Sequence, residues 1–220
     1  MKEKGKKILL WLLDLTINLG IIIGLVIVIQ TWIIAPFDIS GSSMCNTLNY
    51  LDDQCQTGFG EKIIINEAIY IWGTPQREDI VVFKSPYDED KYFIKRVIGV
   101  PGDEIAIKKG YIYLKKAGAS EEIKLEEPYL NDENRGKTEK FYTENFIVPD
   151  DHYFLLGDNR HSSTDSRSCF ESRISPDCDA ENPNAYVSRD SIRGKAWVVW
   201  WPLKSMRVLK HQYSESLAEK

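Results

Sequence analysis

The sequence predicts a mainly β domain carried on one N-terminal transmembrane helix. Two observations predict it. Residues 15–37 carry no charged side chain and are dominated by Ile, Leu, Val and Gly. Such a run spans the roughly 30 Å hydrocarbon core of a bilayer as a helix with some tilt. After Phe37, short β-branched and aromatic runs are separated by Gly, Pro, Asn and Asp, and no long 3.6-residue periodicity appears. That is the pattern of short strands joined by turns.

The 220 residues allow one membrane segment plus a domain with a small insert. The net charge is −5 and no basic stripe follows the first few residues, so nucleic acid is not an expected partner, whereas a lipid bilayer is. No C-x-x-C pair occurs, so no metal site is expected, and nothing in the sequence points to a cofactor.

Taken in order, Lys2, Lys4, Lys6 and Lys7 precede the apolar run and predict a cytoplasmic N-terminus, with everything after Phe37 on the far side. Trp32 suits the interfacial belt. A cleaved signal peptide would have a shorter apolar core and a small-x-small exit, and residues 34–37 are a poor one. A buried core helix fits less well, because nothing polar interrupts residues 21–29, while Asp14 and Asn18 lie near the inner end. Strands are expected over residues 61–72, 79–84 (closed by Ser85-Pro86) and 91–100 (closed by Pro101-Gly102). Residues 104–107 and 110–114 flank Lys108-Lys109 as a hairpin. Residues 115–145 are charged and weakly patterned, a surface insert. Residues 152–156 and 193–201 are the last clear strands, and the tail from Ser205 is polar. The expected division is residues 1–37 as N-terminus and helix, 38–107 with 147–204 as the β domain, 108–146 as a small inserted subdomain, and 205–220 as a tail.

Three stretches carry chemistry. Ser42 and Ser43 follow Gly41 directly after the apolar run. A glycine there lets the chain turn tightly and another backbone approach closely, one way to present a nucleophile; a plain Ser/Gly linker reads the same. In Tyr92-Phe-Ile-Lys-Arg-Val-Ile98, alternation puts Phe93, Lys95 and Val97 on one face. Burial lowers a lysine's pKa and makes it a base near neutral pH. The alternative is a strand lysine turned to solvent. Both faces of the run are apolar, so alternation does not choose between Lys95 and Arg96; chemistry does, since a guanidinium cannot act as a base. The third stretch, Gly157-Asp-Asn-Arg-His-Ser-Ser-Thr-Asp-Ser-Arg167, is dense in hydrogen-bonding groups. Asp165 and Arg167 point the same way on an extended segment and are placed to pair, and Ser162 or Ser163 to orient another polar group.

Together these stretches resemble bacterial type I signal peptidases, membrane-bound Ser-Lys endopeptidases. Ser43-Met-Cys-Asn-Thr-Leu48 is similar to the family's Ser-Met-x-Pro-Thr-Leu box, and Arg77-Glu-Asp-Ile-Val-Val-Phe-Lys-Ser-Pro86 to its Gly-Asp-Ile-Val-Val-Phe strand. Tyr92-Phe-Ile-Lys-Arg-Val-Ile-Gly-Val-Pro-Gly-Asp103 is similar to its lysine box, the third stretch to its last box, and Gly194-Lys195 through Trp201-Pro202 to its usual end. The resemblance implies Ser43 as nucleophile, Lys95 as general base and an acyl-enzyme. It implies Ser163 as the serine that orients the lysine, Asp165 and Arg167 as a supporting ion pair, and Asp158 as a structural acid. The Ser43 N–H would be one oxyanion donor. Phe37, Ile39 and Ile94 fall where the family lines shallow pockets, which implies cleavage after small residues at positions −1 and −3 of signal-peptide-bearing pre-proteins. The location implied is the bacterial plasma membrane, single-pass, with the catalytic domain outside.

Departures stand beside the match. Asn46 replaces the usual proline, Glu78 the usual glycine, and His161-Ser162 an Asp-Asn pair. Gly41 occupies the place where some members have a serine as second oxyanion donor, so the second donor is open. Of the four cysteines, Cys45 with Cys55 and Cys169 with Cys178 are the expected disulfides, because each pair brackets a segment longer than the family usually has there. The rival readings are another Ser-Lys processing peptidase with a dedicated substrate, a Ser-His-Asp enzyme using His161 and Asp165, and a decayed, membrane-anchored β binding module.

Overall fold

A computed structural model of the protein describes residues 2–86, 90–141, 143–170 and 183–209. The helix α1 (Lys2–Trp32) is long and apolar enough to cross a bilayer, and none of its apolar window is buried against the rest of the chain. The side chain of Trp32, expected in an interfacial belt, lies outside what is described. The apolar run does not stay helical to Phe37. Pro36 cannot continue a helix and pushes Ala35 towards extended backbone, so strand β1 (Ile34–Ser40) begins there.

Thirteen further strands follow: β2 (Tyr50–Leu51), β3 (Gln54–Cys55), β4 (Phe59–Asn66), β5 (Ile80–Lys84), β6 (Tyr92–Gly99), β7 (Glu104–Lys108), β8 (Tyr111–Lys115), β9 (Ile123–Lys124), β10 (Asn145–Ile147), β11 (His152–Leu156), β12 (Val187–Ser188), β13 (Ile192–Trp201) and β14 (Arg207–Val208). The main sheet runs β1-β4-β13-β5-β6-β11-β12, with β14 also on β13. A second sheet runs β10-β7-β8-β9, and β2 pairs with β3. The strand expected over residues 61–72 ends at Asn66. There the Asn66 carbonyl side chain accepts the Ile69 N–H at 3.1 Å, and a 3₁₀ turn over Ala68–Tyr70 takes over. The hairpin β7–β8 closes through Lys109 and Gly110, both at positive φ (51° and 83°), the two-residue turn that matches strand twist.

Alternation along β1, β4, β5 and β13 buries Ala35, Ile39, Ile63, Ile65, Val82 and Val199 in one cluster, which also takes Met44 and Leu48. The loop between β1 and β2 is therefore pinned by two apolar side chains. The second sheet buries Ile105, Ile112, Leu114 and Phe146 against Ile98, Phe154 and Leu156 of β6 and β11. Strand β6 thus lies between the two packed layers. Trp197, Trp200 and Trp201 are between a third and a half exposed, so they are surface rather than core residues.

Cys45 and Cys55 form a disulfide that ties the same loop to β3, with Cα atoms 5.8 Å apart. Cys169 is buried, and its expected partner Cys178 lies outside the described residues. Closing a loop with a sequence separation of 10 removes unfolded-state entropy worth about 3 kcal/mol. The double variant Cys45→Ala/Cys55→Ser is expected to lower the urea midpoint accordingly. An unchanged midpoint at an unchanged slope would show that the bridge contributes nothing to stability.

Candidate active site

The site forms where β6 meets the β1–β2 loop and the segment after β11. On β6, Lys95 pairs with Val81 of β5 and is 4% exposed. Its Nζ lies 2.7 Å from Ser43 Oγ and 2.9 Å from the Ile94 carbonyl, with the Phe93 ring centroid at 5.6 Å. Burial pulls the Lys95 pKa down to about 8, while the negative charges of Asp165 and Asp158 oppose the fall. Once neutral, the amine has a lone pair, and at this distance it can take a proton from Ser43 Oγ.

Ser43 owes its place to its loop. Gly41, at φ 88°, turns the chain into it. The turn closes through Cys45 N–H to the Ser42 carbonyl (3.0 Å) and Leu48 N–H to the Met44 carbonyl (2.8 Å). At its base the Asn49 side chain donates to the carbonyls of Gly41 and Gly58, and accepts from Glu61 N–H. Arg207 pairs with the fully buried Glu61 carboxylate and donates to the Thr47 carbonyl, so the last strand also braces the loop.

Alternation sends Arg96 to the face opposite Lys95. Its guanidinium forks onto Asp158 (2.9 and 2.6 Å), donates to the Glu78 carbonyl and lies 3.8 Å from the Tyr129 ring centroid. Asp158 also accepts from Thr47 Oγ1 at 2.5 Å, which joins it to the nucleophile loop. Glu78 sits at φ 69°, the backbone reason that a glycine suits this position.

Asp165 and Arg167 form a fully buried two-point pair, at 2.9 and 2.8 Å. Burial alone would raise the Asp165 carboxyl. The Arg167 charge and hydrogen bond outweigh it, together with the Gly157 N–H, and hold the carboxyl below its usual range. Ser163 is buried in the same segment but makes no hydrogen bond to Lys95; the lysine bonds to Ser43 and Ile94 instead. A Cβ on Gly157 would stand 2.1 Å from Ser163 Oγ and 2.5 Å from the Ser43 carbonyl, so only glycine lets the two loops touch. His161 is exposed, Asp165 is fully buried with its carboxylate on Arg167, and among the described residues no hydrogen bond joins the two as a Ser-His-Asp relay would require.

These groups open on a cleft of about 1040 Å³ lined by Phe37, Ile39, Ser43, Ile94, Lys95 and Ser162 among others. Ile39 is buried, and Phe37 and Ile94 are partly so. Among the described residues no His, Cys, Asp and Glu cluster suits a metal ion. Sequence reasoning passed over Arg96 as a structural partner, and also Thr47, Asn49 and Asn159. Thr47, Arg96 and Asn159 lie inside the stretches that resemble the family, so the density of polar groups there was a signal. Nothing local marked Asn49.

A family model described as signal peptidase, peptidase S26, matches residues 12–201. Signal peptidase I S of Bacillus subtilis (strain 168) is 30% identical over 93% of this chain and 95% of its own length. Signal peptidase I of Pseudomonas aeruginosa is 30% identical over 82% of this chain and 70% of its own. A crystal structure of a signal peptidase I from Enterococcus faecalis V583 is 29% identical over 56% of this chain and 97% of that one, with a TM-score of 0.39. The family match covers α1 from residue 12 on and nearly all of the β domain that builds the Ser43–Lys95 cleft, and by it the chain belongs to the signal peptidase family S26.

Proposed function

We propose that this protein is a membrane-bound serine endopeptidase that removes signal peptides from exported pre-proteins, with Ser43 as nucleophile and neutral Lys95 as general base. The observation that carries the reading is the 2.7 Å approach of a buried Lys95 Nζ to Ser43 Oγ on the wall of an open cleft. Lys95 takes the Oγ proton as Oγ attacks the scissile carbonyl carbon, and the carbonyl π pair moves onto oxygen, facing the Ser43 N–H. Collapse breaks the C–N bond, and the leaving amine takes the proton from Lys95, leaving an acyl-enzyme. Neutral Lys95 then takes a proton from water, which attacks the ester. Ser43 Oγ leaves with the proton returned.

Asp165 and Asp158 keep the site from driving the lysine pKa too low, and their arginine partners hold the segment after β11 against the nucleophile loop. Phe37, Ile39 and Ile94 line the cleft as apolar walls suited to small side chains at positions −1 and −3. Supporting roles fall to Ser163, Asp158, Asp165 and Arg167. The helix α1 spans the plasma membrane with its N-terminus in the cytoplasm, and β1 places Ser43 close to the outer surface, where a membrane-held substrate presents its cleavage site. Shared anchoring raises effective concentration, so shallow pockets suffice. The exposed Trp197, Trp200 and Trp201 are suited to the headgroup region. A division into β domain and insert belongs to this reading, with the insert bounded by β7 and β10 instead of residues 108 and 146, and with β14 of the expected tail paired to β13.

The test is cleavage of a signal-bearing pre-protein in detergent by the parent, Ser43→Ala and Lys95→Ala proteins, with product N-termini mapped. Cutting after a small-x-small site by the parent alone supports the reading. Inactivity of all three folded proteins would favour a binding module, and cutting by both variants would place the catalysis elsewhere. Lys95→Arg keeps the charge but cannot become neutral, and is expected to lose activity by roughly 10²–10⁴-fold or more. Because the base must be neutral, kcat/KM of the parent should climb about tenfold per pH unit below the Lys95 pKa of about 8 and level off above it. A flat profile between pH 6 and 8.5 would contradict this (these limits are set about the lysine pKa). Gly157→Ala should push the two loops apart and cost about 100-fold in kcat, with parent-like activity contradicting the close approach.

A further inference from the structure

Building on that reading of the site, one residue outside its expected catalytic set stands in direct contact with the nucleophile's backbone. Asn159 holds the loop at two points. Its main-chain N–H donates to the Ser43 carbonyl at 3.0 Å, and its side-chain Nδ2 donates to the Ser42 carbonyl at 3.1 Å. The second contact is the informative one. The Ser42 carbonyl and the Ser43 N–H belong to one peptide unit, which is planar and not among the cis bonds of this chain. In a trans unit the two groups point in opposite directions. Fixing the carbonyl on Asn159 therefore fixes the direction of the Ser43 N–H on the other side.

That N–H donates to no other group among the described residues. Ser42 and Ser43 both line the cleft. The Ser42 carbonyl accepts twice, from Asn159 and from Cys45 N–H at 3.0 Å. Donors on the carbonyl polarise the amide and strengthen its N–H as a donor, because hydrogen bonds in a chain reinforce one another. Asn159 is in turn held in place: its carbonyl accepts Ser162 N–H, and its neighbour Asp158 is clamped by Arg96 and Thr47.

We propose that Asn159 is a positioning residue for the oxyanion site: through the Ser42 carbonyl it aims and polarises the Ser43 N–H at the carbonyl oxygen of the substrate in the transition state. This goes beyond the Ser43–Lys95 pair, since Asn159 touches neither reacting atom and acts through the peptide between Ser42 and Ser43. It also speaks to the absence of a donor side chain at Gly41: with fewer side-chain donors, the orientation of the backbone donor counts for more.

The experiment uses the full chain in detergent and compares the parent with Asn159→Ala and Asn159→Asp. Aspartate has the shape of asparagine but turns an acceptor towards the Ser42 carbonyl. Four quantities are read, the first two as a function of pH: kcat and KM for a pre-protein, inhibition by a peptide aldehyde, and inhibition by the matching peptide alcohol. Ser43 Oγ adds to the aldehyde carbon, its proton passes to Lys95, and the π pair becomes an alkoxide facing the Ser43 N–H. The alcohol fills the same cleft with no such oxygen. Removing an oxyanion donor outright costs about 10²–10³-fold in kcat, so releasing its orientation should cost roughly 10–100-fold.

The expected result is that fall in kcat with KM unchanged, a matching loss of aldehyde affinity and unchanged alcohol affinity, with an unmoved pH midpoint for Asn159→Ala, which adds no charge. Asn159→Asp should lose at least as much as Asn159→Ala. If the alanine protein does not fold, the aspartate variant, which keeps the packing, decides alone. Parent-like kcat, equal weakening of aldehyde and alcohol, or a shifted pH midpoint in Asn159→Ala would overturn the proposal. Ser43→Ala is run alongside. If it still cleaves, the reading of the site itself fails; if it is inactive while the Asn159 variants match the parent, only this inference fails.

Discussion

An ammonium group taken out of water is the constraint around which the β domain is arranged. Lys95 is 4% exposed, and its charged form has lost most of its hydration. Left alone, burial would drive such a group far towards neutrality. Asp165 and Asp158 pull the other way, and the balance rests at about 8. A lysine so poised is neutral in about one molecule in ten at pH 7, against a few in ten thousand for a free side chain. On the proposed mechanism that gain turns a charged strand residue into a base.

The same two aspartates would be costly to bury without partners of their own. Each has an arginine: Arg96 for Asp158 and Arg167 for Asp165. The two pairs do different structural work. Arg96 ties β6 to the segment after β11 and, through Thr47, to the nucleophile loop. Arg167 folds its segment on itself and reaches the carbonyls of Arg160 and Glu139. Removing one partner of such a pair leaves a buried charge, which typically costs 3–5 kcal/mol. The electrostatics of Lys95 and the approach of two loops at Gly157 are therefore set by one network. Adjacent residues on β6 divide the labour, Lys95 facing the cleft and Arg96 the scaffold.

Much of this was legible in the chain. The apolar N-terminal run and the short strands after it follow from composition and alternation, because each is a local pattern with a physical meaning; the pairing of Ser43 with Lys95, 52 residues apart, was expected only from the resemblance of the motifs. The Cys45–Cys55 bridge was expected and is present. What escaped was non-local. Pro36 redirects the chain from helix to strand before the apolar run ends. Residues 67–72 look like strand by composition, yet Asn66 caps a turn there. Strand β7 joins the inserted sheet because it buries Ile105 and Ile107 against Ile112 and Leu114, a preference visible only once β8 lies beside it. Lys95 also bonds to the Ile94 carbonyl, a main-chain partner that no side-chain motif announces. Asn49 and Asn159 act on backbone carbonyls, those of its own loop for Asn49 and that of Ser42 for Asn159, and such contacts leave no mark in spacing.

The central claim is that Lys95 is poised to lose its proton near neutral pH while it contacts Ser43. It is tested most directly by titrating that one amine, with isotope-labelled lysine followed by NMR in detergent and assigned against Lys95→Arg. The account predicts a midpoint at about 8, moved from the ordinary 10.5. A midpoint at the ordinary value would contradict it, because Lys95 would then be a solvated cation with no base to offer Ser43.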